Sequence, residues 1–544
     1  MFHFKEGDLD LTITNKLGFS PKYTIYILFI ILCVISIDTF IFFYTNGLGL
    51  AYNDARSHLD IGRRVVEGLK PGIAQLGSVW LPLPHILMIP TIWNDFFWHS
   101  GLSGALVSMF SYIGTAIFIY LYLKGLSVGL FGRIIAVTIF ALNLNILYLQ
   151  STAMTEMLLI VTSTASAYYL MLWYKKDKTL DLIKSGFWVT LASLTRYDGW
   201  FLFIINAFLV ILRSFTKLQV SFKEKYQRME GSLILFSTLA AFGIFLWFGW
   251  NKLIFNDFLF FAFGPYSAKV QQEQLAAAGN LITKGNLLAS IKAYGYSIFY
   301  NIGTFSVVLS AIGYIVVLLD KKLSRAVKIA TFSLLSPLFF NILALYLGHS
   351  VLYIQGINGN TWFNVRYGIL LIPALAIFIG FLMDRLVSLR LILVGLLIFV
   401  TFFSFTSFDA VTIDDARVGS SQKNVTEISG WLNQNTKDKE GFILISAASH
   451  DAIIFSSGLP MSKFIHEGTG AYWESATTNP EHWARWIVMR TYDNNDATYK
   501  AVSKTPDFAH YDLVAKYPFA DVYQIREGFV LYLNTKPVLK NKNK

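Results

Sequence analysis

Two adjoining stretches decide the fold: YTIYILFIILCVISIDTFIFFY, residues 23–44, and YNDARSHLDIGRR, residues 52–64. The first is apolar except for Asp38. A hydrocarbon core about 30 Å thick needs about 20 such residues in a helix, so the run reads as a membrane span. It is too long for a signal-peptide core and no small-x-small cleavage pattern follows, so it reads as a retained anchor. Working outward, further apolar runs occupy Leu102–Leu123, Ile134–Leu149, Glu156–Trp173, Ser232–Ile254, Ile298–Leu319, Ile329–Leu347, Tyr367–Met383 and Leu391–Phe405. The stretch Ser185–Leu212 is interrupted by Thr195-Arg196-Tyr197-Asp198. An Arg and an Asp at mid-membrane would cost several kcal/mol each, which predicts two short helices with their turn near one membrane face. The total is eleven spans.

Composition agrees. Of 544 residues, 54% are hydrophobic and only 15% charged, against about 25% charged in soluble domains. A disordered chain, a coiled coil and an ordinary cytosolic enzyme are excluded. The single cysteine, Cys33, rules out an intrachain disulfide and a Cys-based zinc site. With the N-terminal segment 1–22 cytoplasmic, the short inner loops carry 17 Lys and Arg and the much longer outer segments carry 9. That bias follows the positive-inside rule. It explains much of the net charge of +11 by position, so no nucleic-acid partner is implied. Val79–Trp98, with Pro82, Pro84 and Pro90, is placed as an interfacial hairpin within the first outer loop, 45–100. The membrane domain spans 23–407. From 408 to 544 the pattern is that of a small extracytoplasmic α/β domain ending in a solvated Lys540–Lys544 tail. Val425, Ile428 and Leu432 recur at helical spacing, while Gly441–Ile445, Trp486–Met489 and Gly528–Tyr532 read as strands.

The first outer loop is dense in ionisable groups in a chain that otherwise avoids them. Asn53 is placed as an N-cap, and Asp54 suits the first helical turn, where the helix dipole favours a carboxylate. His58 shares its helix face, and Asp60 is expected to pair with Arg63 or Arg64. By spacing alone this is most simply an interfacial amphipathic helix. Three other outer positions change the weighing: Glu156, Arg196-Tyr197-Asp198 and Arg366-Tyr367 all fall at span ends on the same face. Each alone fits a snorkelling or paired interfacial residue. Together they predict one polar site beneath the outer surface, because intramembrane charges normally face a cavity. His58, His85 and His349 lack H-x-x-x-H spacing, so no metal site is expected. Nothing has P-loop or G-x-G-x-x-G spacing for a nucleotide.

This constellation, Asp54 opening the first outer loop, a second acid at Glu156, the Thr195–Gly199 turn and Arg366-Tyr367 before a proline-containing span, resembles the GT-C glycosyltransferases. The branch it looks most like is that of protein O-mannosyltransferases and lipid A aminoarabinose transferases, over residues 20–407. The resemblance implies a polytopic GT-C-like helical fold and inverting transfer of a hexosyl or pentosyl group. The donor would be a polyprenyl-phosphate-linked sugar, and the acceptor a glycan, lipid or protein at the outer face of the bilayer. Asp54 matches the loop aspartate used as general base. Many relatives carry Asp-Glu there, whereas Ala55 follows here, which makes Glu156 the candidate second acid. Arg366 matches the late arginine that holds donor phosphate, with Arg196 or Arg56 in support. His58, Tyr197, Asp198 and Tyr367 complete the expected substrate contacts. No cofactor is implied, and metal dependence stays open. The competing class is a multi-pass transporter or flippase of a lipid-linked or anionic substrate, which would also use broken helices and charged span ends.

Overall fold

The structure, a computed structural model, describes residues 21–216, 221–264, 267–277, 279–420 and 422–532. Residues 1–20 of the expected cytoplasmic segment and the Lys540–Lys544 tail lie outside them. Among the described residues seven helices are long and apolar enough to cross a membrane: Tyr23–Thr45, Leu102–Gly125, Glu156–Lys176, Asp198–Phe215, Arg325–Leu347, Val365–Arg385 and Arg390–Val418. Three bent pairs raise the number to ten: Leu130–Ala141 with Leu144–Gln150, Phe222–Ala240 with Phe242–Phe255, and Leu287–Ile302 with Thr304–Leu319. The eleventh expected span corresponds to Thr179–Ser193, which at 15 residues falls short of a full crossing. The helix breaks on either side of the Thr195–Asp198 turn, as its charges require. The run Ile298–Leu319 is corrected. It bends by 107° at Gly303, whose φ of +84° is open to glycine at little cost. Leu83–Ile92, within the expected hairpin, has ten residues and is too short to span.

By internal contacts the chain forms two compact units. The first comprises the membrane helices and runs through described residues 21–51, 81–84 and 105–420. Broken helices leave backbone groups that lipid cannot satisfy, and asparagines take them up. Asn143 Oδ1 caps the second half of one pair by accepting from Ile146 N at 3.0 Å, while its Nδ2 donates to Asn301 O at 2.8 Å. Asn301 Nδ2 in turn donates to Val365 O at 2.8 Å. Asn145 Oδ1 accepts from Thr412 N and Oγ1 at 3.0 and 2.8 Å, which fixes helix Val411–Val418 beside this knot. Close packing rests on small residues: a Cβ on Gly132 or Gly380 would collide with the carbonyl of the other, so helices Leu130–Ala141 and Ile372–Arg385 meet backbone to backbone.

The second unit joins 52–80 and 85–104 to the described residues from 422, so the compact units cut the chain differently from the boundary at 407/408. Its centre is a five-stranded sheet of order β2-β1-β3-β5-β4, with β1 Phe442–Ile445, β2 Phe464–Ile465, β3 Ala484–Met489, β4 Tyr511–Lys516 and β5 Asp521–Ile525. β1 runs parallel to both β2 and β3, whereas β5 is antiparallel to β3 and β4. Leu444, Ile465, Ile487 and Ile525 are buried between the sheet and its flanking helices. The expected strand Gly528–Tyr532 is corrected to short helical turns over Glu527–Tyr532. Phe529 and Val530 bury against the core directly, and the Phe529 ring stacks on His510 at 4.0 Å. The loop segments are sewn to this domain. Glu67 Oε1 accepts from Met461 N at 2.9 Å, Gln75 Nε2 donates to Gly468 O at 2.7 Å, and Trp98 meets Phe455 edge to face.

Candidate active site

In the membrane unit, helices Glu156–Lys176 and Asp198–Phe215 each start on an acidic residue, where unpaired N–H groups and the helix dipole favour negative charge. The turn before the second helix is tight. A Cβ on Gly199 would run into the backbone of Ala192 and Ser193, so the glycine lets the chain fold back and aim Arg196 toward Glu156. Arg366 enters from the 3-10 turn Val365–Leu371. Glu156 Oε1 accepts from Arg196 Nη1 at 3.1 Å and from Arg366 Nε at 3.0 Å. The carboxylate is 0% exposed and Arg366 3%. Glu156 Oε2 is buried without a hydrogen-bond partner among the described residues. Arg196 also reaches Asp198 Oδ2 at 3.2 Å and Thr155 Oγ1 at 3.3 Å.

Tyr367 braces both cations: its ring centroid lies 5.0 Å from Arg196 Cζ and 5.4 Å from Arg366 Cζ. Asp415, fully buried on helix Val411–Val418, places Oδ2 3.7 Å from Arg366 Nη1. Sequence reasoning missed it, because VTIDDARV reads as an ordinary polar helix beyond the last span. The result is five charged groups, two positive and three negative, on four separate pieces of chain, all buried except Arg196, which is partly buried. A cavity of about 20 Å³ borders Asp198, lined also by Ser163, Thr164, Ser333 and Ser336. Tyr197 faces away to an aromatic cluster, stacking on Phe261 at 5.8 Å and meeting Trp200 edge-on at 5.2 Å.

The remaining sequence candidates lie on helix Asn53–Val66 of the second unit. Asp54 occupies its first turn and is half-buried. Asn53 does not cap it: Tyr52 is the N-cap, and its side chain makes no capping bond. Arg56 Nη1 lies 3.4 Å from Lys423 O and 3.5 Å from Ser456 Oγ. His58 and His85 meet through Nδ1 and Nε2 at 2.9 Å, a contact across 27 residues that no spacing rule reveals, and Trp80 covers His58 at 4.3 Å. The expected Asp60 pairs do not form. Arg63 is drawn off by Asp95 at 2.5 Å and by the carbonyls of Ile92 and Trp93, and Arg64 Nε approaches only the backbone oxygen of Asp60 at 3.4 Å. Burial lifts the Asp60 carboxyl well above the usual range, against a pull back from Arg64. Among the described residues no group of three or more His, Cys, Asp or Glu is placed to hold a metal ion.

No family model and no curated protein matches this sequence. The fold does have relatives among solved structures. ArnT from Cupriavidus metallidurans bound to undecaprenyl phosphate aligns over 94% of this chain and 99% of that one, with a TM-score of 0.56 at 10% identity. Its apo state gives 0.53 at 12% identity over the same shares. An Archaeoglobus fulgidus oligosaccharyltransferase covers 85% of this chain and 67% of that one, with a TM-score of 0.46 at 10% identity. The protein is a multi-pass membrane protein of GT-C fold with a small C-terminal sheet domain.

Proposed function

We propose that the protein is a membrane glycosyltransferase that moves a hexosyl or pentosyl group from a polyprenyl-phosphate donor to an acceptor hydroxyl, with inversion. The observation that carries this reading is the convergence of Arg196 and Arg366 on a single buried carboxylate in a GT-C fold. Two guanidinium forks held side by side suit the oxygens of a leaving polyprenyl phosphate, which gains charge as the glycosidic bond breaks. ArnT, whose fold this chain shares, is bound to undecaprenyl phosphate, which supports a ligand of that chemistry here.

The geometry favours a role for Glu156 that differs from a second acid. A carboxylate that accepts from two guanidiniums is held ionised and aimed, so Glu156 acts as a positioning residue. Asp198 and Tyr367 support the same arginines. Asp54 is proposed as the general base that takes the acceptor proton, a contribution typically worth 10²–10⁴-fold. In this reading the N-terminus is cytoplasmic, and the site and the sheet domain face outward, in keeping with the loop charges.

The test uses purified protein in proteoliposomes with a polyprenyl-phosphate sugar and candidate acceptors. Release of free polyprenyl phosphate, lost in Asp54→Asn without loss of fold, supports the reading. Full turnover in Asp54→Asn removes that residue as base. Movement of the lipid-linked sugar across the bilayer without cleavage would favour a flippase instead.

A further inference from the structure

Helices Glu156–Lys176 and Asp198–Phe215 begin at the buried acid–arginine cluster and end together at a second feature. The first of them has 21 residues, about 30 Å of rise, which matches the thickness of a hydrocarbon core. At this far end, an open cavity of about 320 Å³ lies among the two helix C-termini and the starts of helices Thr179–Ser193 and Phe222–Ala240. Its wall carries three cations, Arg213, Lys225 and Arg228, against one carboxylate, Asp177. Trp173 and Leu235 supply an apolar side.

Arg213 marks this as more than a flanking charge. It is 8% exposed, yet its guanidinium is underused. Nη1 donates to Thr216 Oγ1 at 3.1 Å, Nη2 stands 3.6 Å from Asp177 Oδ1, and Nε is buried without a hydrogen-bond partner among the described residues. Leaving a buried charged donor unmet is costly, and a bound anion would supply the missing acceptor. Trp173 and Tyr174 flank the guanidinium at 6.0 and 5.6 Å and hold it in the wall. Arg228 is exposed, with Glu224 at 3.1 Å, and Lys225 is half-buried beside it.

We propose that this cavity is a second site, independent of the glycosyltransferase reading, that binds a phosphate group. An anionic lipid headgroup and free phosphate share that chemistry. A headgroup would meet Arg213, Lys225 and Arg228 while its acyl chains lie along the apolar side, as basic pockets between membrane helices allow.

The experiment is native mass spectrometry of the detergent-purified full chain with phosphatidylglycerol, phosphatidylcholine or inorganic phosphate. Phosphatidylglycerol should bind at least about tenfold more tightly than phosphatidylcholine, and Arg213→Gln should abolish the difference. Because Arg213 is buried, Lys225→Gln with Arg228→Gln, on the outer wall, provides a variant that keeps the fold and should weaken the preference severalfold. Inorganic phosphate that competes with the lipid identifies the phosphate alone as the ligand, whereas lipid binding that phosphate does not displace assigns the site to the headgroup and its chains. Equal binding of the two lipids by the parent protein, or an unchanged preference in both variants, overturns the proposal.

Discussion

Glu156 in the membrane unit and Asp60 in the second unit are both buried carboxylates with two arginines at hand, and they end in opposite states. Glu156 gathers Arg196 and Arg366 from 40 and 210 residues away, each within 3.1 Å. Asp60 has Arg63 and Arg64 as chain neighbours, yet both of its carboxylate oxygens lack a hydrogen-bond partner among the described residues. The difference is competition. Arg63 finds Glu67, Asp95 and two carbonyls, a richer set of acceptors than Asp60 alone offers. Around Glu156 the main rival acceptors, Asp198 and Asp415, share the same arginines and extend the cluster. Sequence proximity therefore says little about which buried acid stays ionised. The number of donors left over decides it.

Breaking each acid separately sharpens that contrast. The largest effect is expected from Glu156→Ala, which leaves two guanidiniums facing each other in a water-poor site. Loss of about 3–5 kcal/mol should appear as a lowered unfolding temperature, with Glu156→Gln milder because it keeps one acceptor. Next comes acid sensitivity of the second unit. Burial, aided by the Arg64 charge, pushes the His466 imidazole down to about 3. The folded state then refuses a proton that the unfolded chain accepts near 6.5, so stability present above pH 6.5 falls as pH drops toward 3, by a few kcal/mol. His466→Gln should flatten that slope in thermal scans across pH. Gly199→Val should cost about 1–3 kcal/mol through its clash with Ala192, and should reduce turnover more than stability because it displaces Arg196. The smallest effect has the opposite sign. Asp60, raised by burial, stabilises the fold most below about 3.8, and this contribution is lost as pH rises through the folded value. Asp60→Asn should therefore raise the unfolding temperature at pH 7 and have no such benefit at pH 3.5.

Much of this was legible in the sequence wherever a membrane sets the rule. Apolar length located the helices, and the cost of charge in lipid put a turn at Thr195–Asp198 and marked Glu156 and Arg366 as partners of something. Four of the candidate residues, Glu156, Arg196, Asp198 and Arg366, do converge. What stayed hidden depends on tertiary geometry that composition does not encode. The bend at Gly303 lies within a predominantly apolar run long enough to read as one span. Asp415 belongs to a helix whose pattern is that of a soluble surface. The His58–His85 contact and the union of the first outer loop with the sheet domain are long-range pairings without periodicity. Gly528–Tyr532 has strand composition, but its backbone forms short helical turns from which Phe529 and Val530 pack against the core.

Arg366 and Arg196 are proposed to be held for a phosphate. This is tested most directly by the affinity of the purified protein for a short-chain polyprenyl phosphate against the matching polyprenol, in the parent protein and in Arg366→Gln. The expected result is a preference for the phosphate of about tenfold or more, ~1.4 kcal/mol, that disappears in Arg366→Gln while polyprenol binding is unchanged. Equal affinity for phosphate and alcohol in the parent protein, or a preference that survives the substitution, would contradict it.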